Sequence, residues 1–437
     1  MIRRCPFLRA ASIGLVLFTL SPAIRGDCAA GLAALSKKDY SAALKEFTAS
    51  QAEACAQFNL GVMYERAQGV PQDYTEATKW YGLASAQGHA EAQHTLGLMY
   101  TDAQGVARNY QEALKWFRLA ADQGIAGAQY HLGLFYLEAR GVGRDYQQAL
   151  SWFRLAAGQG VAEAQYNLGV MYHEGRGVPR DYPEALRWLR LATGQDYAAA
   201  QANLGVMYAE GQGVPRDYPE AIRLFRLAAD QGDAQAEYSL GDIYDQGLGV
   251  PQDDQQALKW YRLAADKGFA AAQFNLASMY RLGQGIPRNN TEALKWYRRA
   301  ADQGDTEARK ILPSLYKDSL EWLQLAAEQG QALAQNGLGV VYAQGLGVPE
   351  DIKQAVKWWQ LAAGQGDSDA QASLGFLYES GHGVVQDNVQ AFLWYSLVAA
   401  AYPTDTNALE GLRAVSKKMT PAQLSQAQNL VQTWKSK

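Results

Sequence analysis

The chain has 437 residues, with 40 Lys and Arg against 44 Asp and Glu, and 48% of its residues are hydrophobic. The hydrophobic share excludes a chain that is disordered throughout. The acidic balance argues against a nucleic-acid-binding protein, which needs a basic surface to neutralise phosphates. Beyond residue 26 no apolar run reaches the ~20 residues of a membrane-spanning helix, so no transmembrane anchor is expected in the mature chain.

Residues 1–26 have the order of a secretory signal peptide. Arg3, Arg4 and Arg9 precede an apolar run over residues 10–20, and small residues follow around Pro22. The run is too short to span a bilayer, and charged, apolar and small segments in this order are typical of export signals. We therefore expect a periplasmic or secreted protein.

Cysteine usage agrees with export. Cys5 would leave with the signal, and Cys28 and Cys55 would remain. An even pair in an exported chain favours a disulfide. Both cysteines are expected on the first helices of two successive repeats, and such helices should be neighbours in space. A Cys28–Cys55 disulfide is therefore predicted, and the alternative is two unpaired buried thiols.

The body of the chain is internally repeated. Leu-Gly recurs at an interval of 36 residues from Leu60-Gly61 to Leu240-Gly241 and continues as Leu276-Ala277. Tryptophan keeps the same interval from Trp80 to Trp296, with Leu224 in place of one tryptophan. After one shorter step of 26 residues it continues at Trp322. The tryptophans are Trp80, Trp116, Trp152, Trp188, Trp260, Trp296, Trp322, Trp358 and Trp394. A fixed period of this length indicates a repeat architecture.

Each repeat predicts a first helix and a loop. Apolar positions over residues 164–172 fall at helical spacing, and Gly175 and Gly177 follow. Glycine reaches the left-handed backbone angles that end a helix. Val178 is expected as a buried plug in the loop, and Pro179 prevents the helix from continuing.

A second helix completes the repeat. Asp181 precedes it and can cap its free amides. Ala185, Trp188 and Ala192 fall on one face. We expect the small alanines to let the two helices approach closely and the tryptophan to fill the space between repeats. No repeat can bury its apolar face alone, so stacked neighbours supply the core.

The pattern A-x-x-x-L-G-x-x-Y-x-x-G-x-G-V-x-x-D-x-x-x-A-x-x-W-x-x-x-A-A-x-x-G closely resembles the Sel1-like repeat, a relative of the tetratricopeptide repeat. The resemblance implies an all-α fold: an α/α solenoid (right-handed superhelix) of about ten Sel1-like repeats with N- and C-terminal caps. Members of that family mainly bind other proteins. The resemblance implies no cofactor and no catalytic residue.

The repeats predict a domain organisation with three departures from regularity. Residues 27–53 lack the long loop and are expected to form an N-terminal capping repeat, followed by seven Sel1-like repeats over 54–305. The repeat at 306–331 has lost the loop and carries Pro313 where glycine is expected, so a kinked or broken helix and a bend are predicted. Two further repeats span 332–403, and 404–437 should form C-terminal capping helices, one starting at Thr420-Pro421 with Trp434 sealing the last face.

No motif in the chain predicts catalysis or a metal. The glycine loops lack the Lys-Ser/Thr of a phosphate-binding loop and recur with the repeat, so they are attributed to helix ends. The five histidines lie in different repeats without metal-ligand spacing, and isolated surface or groove positions are expected for them. They are His89, His94, His131, His173 and His382.

What remains is a surface. In related solenoids the first helices line the concave face, with outward positions two before the repeat leucine and one after the glycine. The binding residues predicted there are Phe58, Val62, His94, Leu98, Tyr130, Leu134, Tyr166, Val170, Tyr238 and Phe274. An aromatic and aliphatic stripe suits an extended peptide or a partner helix. The alternative is that part of the stripe packs against the next first helix as core.

Beside the repeat leucine, four asparagines recur at equivalent positions: Asn59, Asn167, Asn203 and Asn275. We expect them to tie adjacent helices together by hydrogen bonds; a ligand-holding role is the alternative.

The sequence therefore predicts an exported, non-catalytic, monomeric scaffold that binds a protein or peptide through its concave face. The alternative is a penicillin-binding or weakly β-lactamase-like enzyme, or a cell-wall ligand binder, since some cysteine-rich Sel1-like proteins have been classed so. That resemblance is weakened because those proteins carry a cysteine pair in nearly every repeat, whereas the mature chain has one. No GxSxG or S-x-x-K nucleophile motif supports it.

Overall fold

The computed structural model describes residues 28–435, so the predicted signal peptide lies outside the described residues. Within that range the chain forms 24 α-helices and no strand. The described residues divide into two compact units, unit 1 up to Pro215 and unit 2 from Arg216. No helix in the described part of the chain is long and apolar enough to cross a membrane.

Unit 1 contains eleven helices: α1 (Ala29–Ser36), α2 (Tyr40–Ala49), α3 (Ala54–Glu65), α4 (Tyr74–Ala86), α5 (Ala90–Asp102), α6 (Tyr110–Asp122), α7 (Ala126–Glu138), α8 (Tyr146–Gly158), α9 (Ala162–Glu174), α10 (Tyr182–Thr193) and α11 (Ala198–Glu210). Unit 2 contains thirteen: α12 (Tyr218–Asp230), α13 (Ala234–Gln246), α14 (Asp254–Asp266), α15 (Ala270–Leu282), α16 (Asn290–Asp302), α17 (Thr306–Asp318), α18 (Leu320–Glu328), α19 (Ala332–Gln344), α20 (Ile352–Gly364), α21 (Ser368–Ser380), α22 (Asn388–Ala401), α23 (Thr406–Lys418) and α24 (Pro421–Lys435).

Consecutive helices pack in pairs, and each pair packs on the next within its unit. The all-α fold of stacked helical hairpins, an α/α solenoid, is confirmed. In each full repeat the odd-numbered helix is the first helix and the even-numbered helix is the second.

Helix ends follow the predicted chemistry. Asp181 accepts a hydrogen bond from the backbone N–H of Glu184 at the start of α10, as an N-cap should. Gly175 ends α9 at φ 73°, in the left-handed region that glycine enters without a Cβ penalty. Val178 is only half-buried in its loop, so the buried plug predicted for it is confirmed in part.

The glycine of the Leu-Gly pair is required by a close approach between the two helices of a repeat. A Cβ placed on Gly133 would lie 2.4 Å from the ring of Phe153, and one on Gly169 would lie 2.6 Å from Leu189. Real Cβ atoms do not come so close to a ring, so the second-helix side chain occupies the space that any other residue would fill. The sequence recurrence of Leu-Gly is thus a packing requirement.

The expectation that the tryptophans form the core between repeats is partly wrong. Trp152 and Trp188 are half-buried, whereas Phe153 and Leu189, which follow them, are 0% and 1% exposed. The following residue, not the tryptophan, faces the repeat glycine. Ala185 and Ala192 are fully buried, as expected of small residues where the helices pack.

The shortened repeat consists of α17 and α18 with only Ser319 between them. Helix α17 continues through Pro313, so a broken helix at that residue is wrong. Proline removes one backbone donor from the helix, yet both halves of α17 remain anchored, because Ala308, Leu312, Leu315 and Tyr316 are buried. The predicted bend between sub-arrays stays a prediction.

Both ends of the array carry extra structure. At the N-terminus α1 and α2 are joined by a short turn, and Phe47 packs against Gly31 as the second-helix aromatics do elsewhere. At the C-terminus α24 begins at Pro421 and packs on α22, where the rings of Trp394 and Trp434 lie 5.0 Å apart. The residues expected to seal the last repeat therefore do contact it.

Cys28 and Cys55 form a disulfide, with their Cα atoms 6.1 Å apart and 27 residues apart in sequence. Cys28 is the N-cap residue of α1, and Cys55 lies in the first turn of α3. The bond therefore ties the capping repeat to the first full repeat, and both sulfurs border the same cluster around Phe47 and Leu60.

Reduction of this disulfide is expected to destabilise the N-terminal repeats by about 3–4 kcal/mol, because it releases a closed loop of this length in the unfolded chain. Amide hydrogen exchange in α1–α3, with and without reductant, measures the change. The variant with both Cys28→Ser and Cys55→Ser should show the reduced protection in both conditions. Two titratable thiols in denatured, unreduced protein would contradict the bond.

Candidate functional site

The ten predicted binding residues all lie on first helices and are all half-buried. Phe58 and Val62 lie on α3, His94 and Leu98 on α5, Tyr130 and Leu134 on α7, Tyr166 and Val170 on α9, Tyr238 on α13, and Phe274 on α15. We refer to the eight residues of unit 1 as the first-helix stripe. Their role in binding stays a prediction.

The aromatic members of this set pack on neighbours as well as facing outward. The ring of Phe58 stacks on His89 at 4.6 Å and meets Tyr81 at 5.7 Å. Tyr238 contacts Tyr261 and Phe269 in the same way, with centroids 5.8 and 5.1 Å away. Each ring therefore bridges the second helix of its own repeat and the start of the next first helix, which holds the exposed part of the ring in a fixed orientation.

Two of the histidines are neighbours rather than isolated groove residues. His94 Nε2 lies 3.2 Å from His131 Nδ1, which also donates to the carbonyl of Gly127 at 2.7 Å. Burial, together with the neighbouring His131, lowers the pKa of His94 to about 3. Burial likewise lowers the pKa of His131. Both imidazoles are therefore neutral at physiological pH and belong to the packing between α5 and α7.

The four asparagines do not behave as one set. Asn59 and Asn167 donate to carbonyls four residues earlier in their own helices, each at 2.8 Å. Asn203 Nδ2 is buried without a partner among the described residues. Asn275 alone reaches a neighbouring first helix, where it donates to Asp242 Oδ1 at 3.3 Å. The expectation that all four tie adjacent helices is wrong for Asn59 and Asn167.

The character of the face changes in unit 2. Asp242 takes the place of the aliphatic residue after the repeat glycine, and Tyr261 donates to its Oδ1 at 2.6 Å. Burial raises the pKa of the Asp242 carboxyl, although its hydrogen bonds oppose that shift. The polar residue that the sequence shows here is thus built into a network with Tyr238, Tyr261 and Asn275.

Two cavities lie in unit 2, one at the shortened repeat and one in the repeats that follow it. An apolar cavity of about 460 Å³ is bordered by Trp359, Phe376 and Leu377. A more polar cleft of about 310 Å³ is bordered by Arg309, Pro313 and other residues of α17, α19 and α21. Neither is lined by a member of the predicted stripe. Asn336, Val340, Ala372 and Phe376, which line them, hold the two stripe positions in later repeats. Repeat register therefore predicts part of the lining but not where the cavities form.

A ladder of glutamines connects the repeats, and the sequence analysis does not predict it. Gln129 donates to the carbonyl of Ala121, and its Oε1 accepts from Gln159 at 2.8 Å. The same pairing, with partners 30 residues apart, occurs at Gln57–Gln87, Gln93–Gln123, Gln165–Gln195, Gln273–Gln303 and Gln335–Gln365. The regular recurrence of glutamine next to the first-helix alanine was the signal that could have identified it.

In one repeat this ladder is ionic. Glu237 replaces the buried glutamine and Lys267 replaces its partner, with Nζ 2.6 Å from Oε1. Lys267 also donates to the carbonyl of Gly232 at 2.9 Å. The exchange of both residues keeps the contact, which indicates a structural pair rather than a reactive one.

A second ladder joins arginines near the ends of second helices to tyrosines of the following first helices. Arg118 donates to Tyr136 at 2.6 Å, and Arg190 donates to Tyr208 at 2.9 Å. Within residues 28–435 no group of three or more His, Cys, Asp or Glu side chains could hold a metal ion. The polar groups of the described chain are thus mainly committed to holding repeats together.

Comparison of the chain with known protein families and solved structures agrees with the repeat pattern. The family model described as "Sel1 repeat" matches ten segments: 56–89, 90–125, 126–161, 162–197, 198–233, 234–269, 270–305, 312–331, 332–367 and 368–401. A comparison with curated proteins gives no match.

Among solved structures, the chain is similar to c5321, described as a protective antigen present in uropathogenic Escherichia coli strains and displaying an SLR fold. The two are 36% identical over 93% of this chain and 91% of that chain, with a TM-score of 0.60. A Sel1 repeat protein from Oxalobacter formigenes is 33% identical over 56% of this chain and 96% of that chain, with a TM-score of 0.52.

Proposed function

The chain belongs to the Sel1 repeat family, and from that premise we propose that it is an exported, non-catalytic scaffold that binds another protein through its first-helix face. The observation that carries the proposal is the recurrence of half-buried aromatic and aliphatic side chains at the same two positions of α3, α5, α7 and α9. Aromatic side chains held rigidly at a surface are favoured anchors for a partner, because little conformational entropy is lost on binding.

Export is supported by two independent features. The N-terminal segment has the composition of a signal peptide, and Cys28 pairs with Cys55. Disulfides persist in oxidising compartments and are rare in the cytosol. A periplasmic or extracellular partner is therefore the one to look for.

The decisive experiment is affinity capture from envelope and culture-supernatant fractions with tagged residues 27–437, under gentle crosslinking and with mass spectrometry. The test variant carries Tyr130→Ala and Tyr166→Ala. Alanine already occupies the equivalent position of the next repeat at Ala202, so the variant should fold. We expect a partner that the native chain captures and the variant loses, with at least a tenfold drop in recovery.

A matched control removes two tyrosines away from the stripe, Tyr74 and Tyr402, which are 36% and 41% exposed. The control variant, Tyr74→Ala with Tyr402→Ala, should capture as well as the native chain. A partner retained by both variants would place the binding surface elsewhere, and the proposal for the stripe would fail.

A further inference from the structure

The cleft beside the shortened repeat has features that the other repeats lack. It is lined by three first helices of unit 2, α17, α19 and α21, and contains Pro313 in place of the repeat glycine. It adjoins the apolar cavity, because Ala372 and Ser373 line both. The two form one continuous depression with a polar part and an apolar part.

The lining of the cleft includes a buried amide whose oxygen has no partner. Asn336 is 2% exposed and lines the cleft, and its Oδ1 accepts no hydrogen bond from any described residue. A buried carbonyl oxygen without a donor is costly and rare, so the site calls for an incoming N–H. The backbone of a peptide supplies such an N–H.

The lining of the cleft also includes a cation. Arg309 stands where other repeats have the ladder glutamine, and its Nε donates to the carbonyl of Ala301 at 3.1 Å, as Gln273 donates to Ala265. The side chain is exposed and borders the cleft. A guanidinium presented in this way favours a carboxylate, which it can bind with two parallel hydrogen bonds.

Around Arg298, which also lines the cleft, the net charge is negative instead. Arg298 is 6% exposed, and its guanidinium is already bound by Asp302, Asp367 and Asp369 at 2.9–3.0 Å. It is therefore not available to a ligand anion, and the surplus of carboxylates repels one at that end. The acidic group of a ligand is thus directed to the Arg309 end.

The apolar part of the depression supplies an anchor site. Phe376 is 60% exposed beside the cavity, although the equivalent residues Val62 and Val170 are half-buried. Residues of both α17 and α21 line the one cleft, so a single short peptide segment can contact both helices.

We propose that this depression binds an extended peptide segment of the partner, with an acidic residue at Arg309, a peptide bond on Asn336, and an aromatic or large aliphatic side chain in the cavity at Phe376. The inference rests on the proposed scaffold function and adds to it a second contact point in unit 2.

The test is selection of a phage-displayed library of random 12-residue peptides on the full mature chain. The variants use residues that other repeats have at the same positions: Arg309→Gln, Asn336→Ala and Phe376→Val. We expect enriched peptides to carry both an Asp or Glu and an aromatic or large aliphatic residue. Their affinity, measured by fluorescence anisotropy on synthetic copies, should fall at least tenfold with each variant, and replacing the acidic residue by its amide should remove the effect of Arg309→Gln.

The outcomes separate this site from the proposed function. Peptides that are unaffected by all three variants but lost with Tyr130→Ala and Tyr166→Ala would overturn the cleft proposal and leave the scaffold function standing. Enriched peptides without an acidic residue, or no enrichment at all, would also overturn it. Capture of a whole partner through the stripe of unit 1 tests the scaffold function separately.

Discussion

Phe153→Ala is expected to lower the free energy of unfolding by about 3–5 kcal/mol, whereas Trp152→Ala should lower it by about 1–2 kcal/mol. Phe153 is 0% exposed and fills the space over Gly133, while its larger neighbour Trp152 is half-buried. Truncation of the phenylalanine leaves a closed cavity between two helices. Truncation of the tryptophan leaves a space that is open to solvent, so water can partly fill it.

Urea unfolding followed by far-UV circular dichroism measures both changes. Leu189→Ala is a matched comparison, because Leu189 holds the same position over Gly169 and is 1% exposed. It should destabilise the protein by about 2–5 kcal/mol. Equal losses for Trp152→Ala and Phe153→Ala, or a larger loss for the tryptophan, would show that the residue before the buried aromatic also belongs to the core.

This pair of residues shows where the sequence stops being informative about packing. The interval of 36 residues and the helix-end glycines predict the number of repeats, the two helices of each and their boundaries, because these depend on local chemistry. Two adjacent positions on a helix differ by about 100°, and the apolar arc of a packed helix is at least that wide. Periodicity therefore cannot decide whether Trp152 or Phe153 faces the glycine; the close approach at Gly133 does.

The candidate site divides in the same way. Register alone places Phe58, Tyr130 and Tyr166 on first helices, and the structure agrees. The cleft at Asn336 depends instead on which helices neighbour a shortened repeat, and no local pattern encodes that arrangement. The missing hydrogen-bond partner of Asn336 and the exposure of Arg309 beside the cleft are properties of the assembled array.

The ionic step of the glutamine ladder offers the sharpest test of how repeats are joined. Lys267→Gln is expected to destabilise the protein by about 3 kcal/mol, because Glu237 is 3% exposed and its carboxylate would lose its counter-charge. Glu237→Gln should cost less than about 1 kcal/mol, since Lys267 is 39% exposed and its ammonium can turn to water.

The double variant, Glu237→Gln with Lys267→Gln, should return to within about 1 kcal/mol of the native chain, because it recreates the Gln–Gln pair of the other repeats. Glu237 Oε2 has no hydrogen-bond partner among the described residues, and a glutamine amide placed there can donate to a backbone carbonyl as Gln273 does to Ala265. The complete cycle is measured by urea unfolding. If the double variant stayed as unstable as Lys267→Gln, the two pairs would not be interchangeable, and the ionic pair would have to be matched to the particular environment of α13 and α14. Recovery would instead show that the ladder tolerates either chemistry provided that both partners change together. That result would explain how one repeat carries a charge pair where the others named above carry two glutamines.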